Sequence, residues 1–350
     1  MKKAMSSVSV IIPCYNYAHF LRRCVESVLS QSGVEVSVLV IDDASTDNTP
    51  EVGVSLATED TRVQFRRHPA NRGHIATYNE GLEWADGDYT VLLSADDLLA
   101  PGALERAARL MDAHASVGMV YGGFVEFQTD QQLPPARTGA HAWNIWPGRD
   151  WLAIRCERGY NCISSPEVTV RTTLARKLGG YKEELPHSGD LEMWMRLAAY
   201  ADVGYLKGAD QAYYRIHPKS MLRQRFFQPL VDLRERRTAF HVLFRDHGDV
   251  IPGQARLHDM ANRALAREAL WRACRAYDRG RLATTPVAEL IDFALDAYPA
   301  ADSLREYAGL RRRQRLGPPL CLLLQPVRIS AVRHRARTQR AWRSIKRNGI

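Results

Sequence analysis

Three short acidic or polar turns, each placed directly after an apolar run, are the parts of this 350-residue chain best suited to chemistry. They occupy residues 13–16 (Pro-Cys-Tyr-Asn), 42–45 (Asp-Asp-Ala-Ser) and 95–97 (Ala-Asp-Asp). A short apolar run is typical of a buried strand. In an open α/β sheet, ligands bind outside the carboxyl ends of the strands. We therefore expect the three turns to lie together at one edge of a sheet.

The carboxylates of these turns predict a site for a hard divalent cation. Such a cation prefers oxygen ligands and commonly shares its coordination shell with substrate phosphates. A single Asp-Asp pair can be explained as a turn cap alone. Three acidic or polar strand ends together favour a binding site. The turn after the first strand has no glycine, and the chain has no Walker sequence. It therefore lacks the backbone cradles with which dinucleotide-binding and P-loop proteins hold phosphates.

The elements that position these turns alternate along residues 8–127. Apolar runs predict strands over residues 8–13, 36–41, 62–66 and 89–93. Helical spacing and capping residues predict helices over residues 18–31, from Thr49, over residues 71–85 and from Pro101. Strands that alternate with helices favour a mostly parallel sheet with right-handed crossovers.

The pattern is less regular over residues 128–220 and helical over the residues that follow. Residues 167–171 predict a strand and residues 190–199 a helix. Residues 221–310 have a helical pattern, clearest over residues 230–246 and 256–277. No run of 18 apolar residues occurs, so no membrane-spanning helix is expected. With no signal-peptide core after Met1, we expect a cytoplasmic protein.

Five segments, in order along the chain, resemble the motifs of the family 2 glycosyltransferases, which are inverting enzymes of the GT-A fold. They are residues 8–16, 40–49, 71–73 with 79–82, 95–97 and 189–197. Ala95-Asp96-Asp97 stands where that family has its D-x-D-type metal motif. The resemblance implies a Rossmann-like nucleotide-diphospho-sugar transferase, an α/β fold with a mixed, mostly parallel sheet and flanking helices. A C-terminal helical extension follows it here.

The same resemblance sets the expected organisation of the chain. Residues 1–220 form the GT-A domain, in which residues 8–127 bind the nucleotide sugar and residues 128–220 bind the acceptor. Residues 221–310 are the helical extension, and residues 311–350 are a basic tail.

By resemblance, the nucleotide-sugar site comprises Pro13, Tyr15, Asp43, Arg72 and Asp96. Asp43 would accept a hydrogen bond from the N3–H of a uracil-like base, with Tyr15 beside that base and the backbone of Pro13 nearby. Asp96 would contact the ribose or the sugar, and Arg72 is a further candidate for contact with the nucleotide.

The metal and catalytic roles follow in the same way. Asp97 would bind Mn²⁺ or Mg²⁺ between the donor's two phosphates, and His217 either completes that metal site or is a loop histidine. Asp190 would be the catalytic base. Glu192 competes for this role, although residues two apart on a helix point to different sides. Trp194 either lines the acceptor site or is a core aromatic.

These groups suffice for a sugar transfer by single displacement. A carboxylate base must reach the acceptor hydroxyl, and a divalent cation stabilises the departing diphosphate as a Lewis acid. No covalent nucleophile is required, so inversion would give a β-linkage from an α-linked donor. Arg215 and Lys219 either meet the diphosphate or lie on the surface as ordinary cations.

The predicted function is a non-processive glycosyltransferase that moves one sugar from a UDP-sugar or dTDP-sugar to an acceptor hydroxyl. GDP-sugars are less favoured. The family implies bacterial surface polysaccharide or glycolipid assembly. Residues 339–342 do not form the Q-x-x-R-W motif of the processive synthases. Two alternatives stay open: a non-catalytic nucleotide-binding scaffold of the same fold, and a sugar nucleotidyltransferase, which would need a Gly-rich basic loop after its first strand.

The net charge of +9 belongs to the carboxyl-terminal tail. Residues 311–347 contain twelve Lys and Arg and no acidic residue, which leaves 36 basic against 39 acidic residues elsewhere. This distribution argues against nucleic-acid binding by the main domain. The apolar residues 320–324 lie within the basic tail, a pattern that fits either peripheral contact with an anionic membrane or a packed helix with a solvated basic face.

Overall fold

The computed structural model of this chain describes residues 5–139, 142–218 and 228–324, and, near the carboxyl end, residues 339, 344, 345 and 347–350. Its strands are β1 (Ser7–Cys14), β2 (Glu35–Asp42), β3 (Val63–Arg67), β4 (Tyr89–Leu92), β5 (Leu98–Leu99), β6 (Val117–Phe127), β7 (Ala142–Trp146), β8 (Thr169–Arg171) and β9 (Asp202–Arg215).

Helices cover both faces of the sheet region and make up the carboxyl-terminal part. They are α1 (Ala18–Leu29), α2 (Thr49–Glu59), α3 (His74–Trp84), α4 (Ala103–Ala113), α5 (Gly148–Arg158), α6 (Thr172–Leu178), α7 (Gly189–Tyr200), α8 (Pro229–His247), α9 (Gln254–Asp278), α10 (Val287–Ala297) and α11 (Arg305–Leu324). Short 3₁₀ turns occupy Asp130–Gln132, Ser165–Glu167, Gly248–Val250 and Pro299–Ser303.

The described strands form one mixed sheet in the order β3-β2-β1-β4-β8-β6-β9-β5, with β7 paired to β9. The first four strands of that order pair in parallel. Beyond β4 the pairing is antiparallel, except for the parallel pair β6–β9. The predicted mixed α/β architecture is therefore confirmed, while the mostly parallel character holds for its first half.

The parallel half forms because its strands are apolar on both faces. Val10, Ile11 and Ile12 of β1 are fully buried, as expected for a parallel strand covered by helices on both sides. On one side α1 places a stripe of buried residues against the sheet: Leu21, Cys24, Val25 and Val28. The observed bounds of β1, β2, α1 and α2 lie within a few residues of the predicted ones.

The second half contains two long strands that the sequence pattern did not predict. β6 and β9 pair in parallel with register shifts near Gly123. Glycines and polar residues interrupt the apolar pattern of both strands. The pairing brings the end of β9, at Arg215, beside the turn that follows β4.

The carboxyl-terminal helices share a core with the second half of the sheet. Trp151 and Leu152 of α5 belong to the same buried apolar cluster as Phe240 of α8 and Leu265 of α9. The helical region therefore supports the part of the sheet that carries α7. Within the described residues, no helix combines the length and apolar character needed to cross a bilayer.

Candidate active site

The turns after β1 and β2 hold each other in an unusual backbone conformation. Asn16 and Ala44 have φ angles of 58° and 60°, a region that residues other than glycine seldom adopt. The N–H of Asn16 donates to Ser45 Oγ at 2.8 Å, and Asn16 Oδ1 accepts the N–H of Thr46 at 2.8 Å. These cross-links offset the backbone strain and fix the two strand ends as one unit.

Asp43 lies at the centre of this unit, and both of its carboxylate oxygens are engaged. Oδ1 accepts the N–H of Arg72 at 2.8 Å, and Oδ2 accepts the N–H of Gly73 at 2.9 Å. His68 Nδ1 lies 2.7 Å from Oδ1. The carboxylate thus organises the loop that leads into α3, and only 4% of the residue is exposed.

The side chains around Asp43 continue to α3. His68 Nε2 lies 2.9 Å from Glu80 Oε2, and the half-exposed Arg72 guanidinium donates to the same oxygen at 2.8 Å. The backbone of Arg72 therefore binds Asp43, while its side chain binds Glu80. Tyr15 is 46% exposed beside this unit, so its ring face is available for stacking, and Pro13 at the end of β1 is half-buried.

The turn after β4 places Asp96 and Asp97 against the end of β9. The N–H of Arg215 donates to Asp97 Oδ1 at 2.8 Å, and Arg215 Nε donates to the carbonyl of Asp96 at 2.6 Å. Burial and the neighbouring Asp96 carboxylate raise the pKa of Asp97 well above its ordinary value. A cation at this position would relieve that cost.

Arg215 is not a surface cation, because it is buried and packed between two aromatic rings. It is 2% exposed, and its guanidinium lies 4.1 Å from the ring centre of Phe20 and 4.2 Å from that of Phe127. Its Nη2 also donates to Asp130 at 2.7 Å. The surface alternative for Arg215 is therefore wrong, its contact with a diphosphate stays a prediction, and Lys219 lies outside the described residues.

His217 follows Arg215 and turns back toward Asp96. Its Nε2 lies 2.9 Å from Asp96 Oδ2, and its ring packs edge-on against Tyr17 and Phe20, each at 5.5 Å between ring centres. The structure thus brings together the residues predicted for the sugar and metal sites.

This set fits a divalent cation that also binds a diphosphate. The described residues contain no group of three or more His, Cys, Asp or Glu arranged to hold a metal by themselves. A hard cation that shares its shell with substrate phosphates needs only one or two protein carboxylates. Asp96 and Asp97, with His217 beside them, supply that donor chemistry.

Asp190 lies in the first turn of α7 and keeps part of its surface exposed. Ser165 Oγ donates to its Oδ2, and the Tyr181 hydroxyl favours the charged form of its carboxylate. Burial raises the pKa of Asp190, while these two hydroxyls and the nearby His74 and His187 oppose the rise. A raised carboxyl pKa is a property of many general bases.

Glu192 is not brought to the cleft. It is fully buried, and Arg196 donates to both of its carboxylate oxygens, at 3.0 and 3.2 Å. The same guanidinium donates to the carbonyls of residues 178–180. Glu192 therefore fixes the loop before α7, and the structure removes it as an alternative base.

Trp194 belongs to the core and does not line an open acceptor site. It is 3% exposed and packs in the apolar cluster beneath the sheet. With Met193, Leu82 and Tyr181 it lines a small apolar cavity. The prediction of an acceptor contact is therefore wrong, and the alternative of a core aromatic is correct.

Sequence reasoning missed the residues that hold the predicted ones in place: His68, Glu80, Ser165 and Tyr181. Only Glu80 carried a signal, because it lies inside the third motif segment, residues 79–82. His68, Ser165 and Tyr181 lie in irregular segments, where spacing gives no indication of what they contact.

The charges of the three aspartates predicted for transfer act on the same two tyrosines. Burial and the charges of Asp97, Asp96 and Asp190 raise the pKa of Tyr214 to about 12. The same three carboxylates, together with burial, raise the pKa of Tyr78 on α3. The turn after β4 and the start of α7 therefore lie near each other and border the candidate cleft, an arrangement that suits a nucleotide-sugar-dependent transferase of the GT-A class.

Comparison with known proteins shows a family resemblance. Residues 9–165 match the sequence model of "Glycosyl transferase family 2". Over these residues the chain is therefore similar to the family 2 glycosyltransferases, in agreement with the motifs.

Several curated relatives are named as transferases or synthases. A chondroitin synthase of Pasteurella multocida is 29% identical over 208 residues, which cover 59% of this chain and 20% of that protein. A putative glycosyltransferase, EpsE of Bacillus subtilis, is 27% identical over 229 residues, covering 64% of this chain and 78% of that protein. The chain thus spans about a fifth of the length of the synthase.

Solved structures show the same fold over most of the chain. S. aureus TarS 1–349, in complex with UDP-GlcNAc, superposes with a TM-score of 0.64 at 18% identity, covering 88% of this chain and 89% of that one. A mannosyltransferase from Pyrobaculum calidifontis, in complex with GDP-Man and Mn²⁺, gives 0.52 at 17% identity, covering 93% and 88%. The GT-A fold is therefore confirmed.

Proposed function

We propose that this protein is a non-processive inverting glycosyltransferase that moves one sugar from a UDP-sugar or dTDP-sugar to an acceptor hydroxyl. The observation that carries the proposal is the Asp96–Asp97 turn, which Arg215 holds and His217 approaches, with Asp190 near enough to act on the same tyrosine, Tyr214. A diphosphate leaving group and an acceptor hydroxyl need carboxylates at these two places and no covalent nucleophile.

Each residue of the cleft has a part in this reaction. Tyr15 offers its exposed ring to the base, and Asp43, held by the loop at residues 72–73, faces the base edge with Pro13 nearby. Asp96 orients the ribose or the sugar. Asp190 accepts the proton of the acceptor hydroxyl as that oxygen attacks, and its raised pKa suits it to that task.

The Asp96–Asp97 turn with His217 would hold Mn²⁺ or Mg²⁺ beside the diphosphate. When bound, such a cation neutralises the charge that develops on the leaving group. The relatives and the Mn²⁺-containing neighbour support this reading of the donor set. The 128–220 region, which carries Ser165 and α7, would bind the acceptor.

A carbohydrate or lipid-linked acceptor and a role in bacterial surface polysaccharide or glycolipid assembly fit the named relatives. The end of α11 supports contact with an anionic membrane. Leu320, Leu322 and Leu323 are 46%, 46% and 78% exposed, and Arg311 and Arg312 are exposed on the part of α11 that precedes a kink at Gly317. Apolar side chains next to arginines favour an anionic lipid surface. The rest of the basic tail lies mainly outside the described residues.

The test is calorimetric binding of UDP, dTDP and GDP to the full chain, each with Mn²⁺ and with EDTA. We expect Mn²⁺-dependent binding of UDP or dTDP. Asp43→Asn should weaken that binding, whereas Asp190→Asn should bind the nucleotide within about threefold of wild type and lose transfer, because a general base acts in the chemical step.

Binding of none of the three nucleotides to folded protein would overturn the proposal in favour of a non-catalytic scaffold. Tight GDP binding alone would overturn the donor assignment. Release of pyrophosphate from a nucleoside triphosphate and a sugar phosphate would instead indicate a nucleotidyltransferase.

Sedimentation with lipid vesicles tests the membrane contact. The full chain should sediment with vesicles that contain phosphatidylglycerol and remain free of pure phosphatidylcholine vesicles. Leu322→Glu combined with Leu323→Glu should abolish sedimentation without changing nucleotide binding.

A further inference from the structure

We propose that Ser165 and Tyr181 are positioning residues, which together hold the Asp190 carboxylate in the orientation that receives the acceptor proton. The proposal rests on the assignment of Asp190 as the base, made above. Ser165 comes from the 3₁₀ turn between α5 and β8, and Tyr181 from the loop between α6 and α7. The Asp190 carboxylate therefore accepts a hydrogen bond from one segment and is influenced by the hydroxyl of a second, separate segment.

Ser165 is itself fixed by the turn on which it lies. Ser164 and Glu167 form a reciprocal capping box, in which the N–H of Ser164 donates to Glu167 Oε1 at 2.8 Å. Pro166 and Glu167 are buried, so the turn cannot shift without uncovering them. The Ser165 hydroxyl is thus presented to Asp190 Oδ2 by a rigid support.

Tyr181 is fixed through its backbone by α3. Its N–H donates to Asn79 Oδ1 at 2.7 Å, and its carbonyl accepts from Asn79 Nδ2 at 2.9 Å. A Cβ on Gly180 would lie 2.2 Å from Asn79 Oδ1, so only glycine allows this approach. The Tyr181 ring packs edge-on against the Tyr78 ring, with 5.4 Å between the ring centres.

The Ser165 and Tyr181 hydroxyls counteract the desolvation of Asp190. Burial favours the neutral acid, and hydrogen bonds donated to the carboxylate favour the charged form that a base requires. The other titratable groups that face Asp190 are His74 and Tyr78 on α3, His187 before α7, and Tyr214 on β9. Of these, the two histidines also favour the charged carboxylate.

Removal of either hydroxyl should therefore change the pKa of Asp190 in a known direction. In Ser165→Ala and Tyr181→Phe, the pKa of Asp190 should rise further, and the carboxylate should gain rotational freedom. Ser165→Thr keeps the hydroxyl and should restore both properties. Ser303→Ala and Tyr200→Phe are matched controls on the helical region and at the end of α7.

The first measurement needs no substrate. A carboxyl with a raised pKa in the folded state loses its contribution to stability as the pH rises from its ordinary value through its folded value. The difference in unfolding free energy between wild type and Asp190→Asn should therefore fall with pH and then level off. In the Ser165→Ala and Tyr181→Phe backgrounds the same difference should level off at higher pH.

The second measurement is UDP release from UDP-GlcNAc and from UDP-glucose, with water as acceptor. Each variant should lower kcat by about tenfold or more, with the KM for the donor within about twofold, because general-base catalysis contributes about 10²–10⁴-fold. The acidic limb of the pH profile should move to higher pH. A merely structural role would lower activity without moving that limb.

The outcomes separate this proposal from the proposed function. If the levelling pH does not move in either variant, the positioning role is wrong, whatever the activity. If Asp190→Asn retains normal turnover, the base assignment fails and the positioning proposal fails with it. If Asp190→Asn is inactive and the two variants behave as their controls do, the function stands and only the positioning role is overturned.

Discussion

The backbone N–H of Arg215 donates to Asp97 Oδ1 at 2.8 Å, across 118 positions of sequence. This bond joins the last residue of β9 to the second aspartate of the turn after β4. The Arg215 side chain completes the junction with its bonds to Asp96 and Asp130. The acidic turn is therefore held by a buried cation placed behind it.

Arg215→Ala should destabilise the fold and weaken donor binding together. Loss of one member of a buried ion pair costs about 3–5 kcal/mol, and the Asp96–Asp97 turn would lose its support. Urea denaturation and UDP calorimetry would measure the two effects. Arg237→Ala, which removes a more exposed ion pair with Asp296, should cost less and leave UDP binding unchanged. Equal effects of the two substitutions would contradict the prediction.

His68→Ala should weaken UDP binding although the histidine is buried behind Asp43. The substitution removes the group that links Asp43 to Glu80, and a lost buried hydrogen-bond partner costs about 1–3 kcal/mol. We expect about a tenfold loss of affinity, equivalent to about 1.4 kcal/mol. His241→Ala, at an exposed position on α8, is the control and should bind UDP normally. Unchanged UDP affinity in His68→Ala would show that Asp43 does not depend on this link.

Gly81→Ala should destabilise the sheet by overpacking. A Cβ at this position would lie 2.2 Å from Ile11 Cγ2, and Ile11 is fully buried in β1. Such crowding costs about 1–3 kcal/mol. Gly309→Ala on α11 meets nothing closer than 3.4 Å and should be neutral or slightly stabilising, because alanine favours a helix interior. Thermal unfolding of the two variants gives the comparison, and equal stability would argue against tight α3–β1 contact.

Glu167→Gln should change how stability depends on pH. Burial raises the pKa of Glu167 well above its ordinary 4.5, so the wild type should lose stability relative to the glutamine variant as the pH rises from 4.5 toward the raised folded pKa. Urea denaturation at several pH values measures the difference. The pKa of Glu184 is lowered by Arg245, so Glu184→Gln should give a flat difference over that range. A flat difference for Glu167→Gln would mean that its carboxylate is ionised and stabilised in the fold.

The parallel half of the sheet was predictable because the apolar pattern of its residues matches their burial in the structure. β1 and β2 are continuous apolar runs, and α1 has its buried residues at helical spacing, so local pattern and final environment agree. The same agreement placed Asp43, Asp96 and Asp97 at strand ends. Asp190 was found through its motif and lies where α7 begins.

The rest depends on contacts between distant residues, which no local pattern records. β9 contains Gly204, Gly208 and Asp210, and it becomes a strand through its long pairing with β6. Glu192 and Trp194 were candidates because their residue types suit chemistry. Only the packed structure shows that Arg196 neutralises the first and that the core encloses the second.

Asn79 and Glu80 are consecutive residues of α3 that serve opposite ends of the cleft. Asn79 holds the backbone of Tyr181, and Glu80 contacts His68 and Arg72, which both meet Asp43. The angle between the two side chains is set only by the rotation per residue of the helix. Inserting one residue before them within α3 would rotate both by about 100°, so a single change in length would disconnect the nucleotide end and the catalytic end at once.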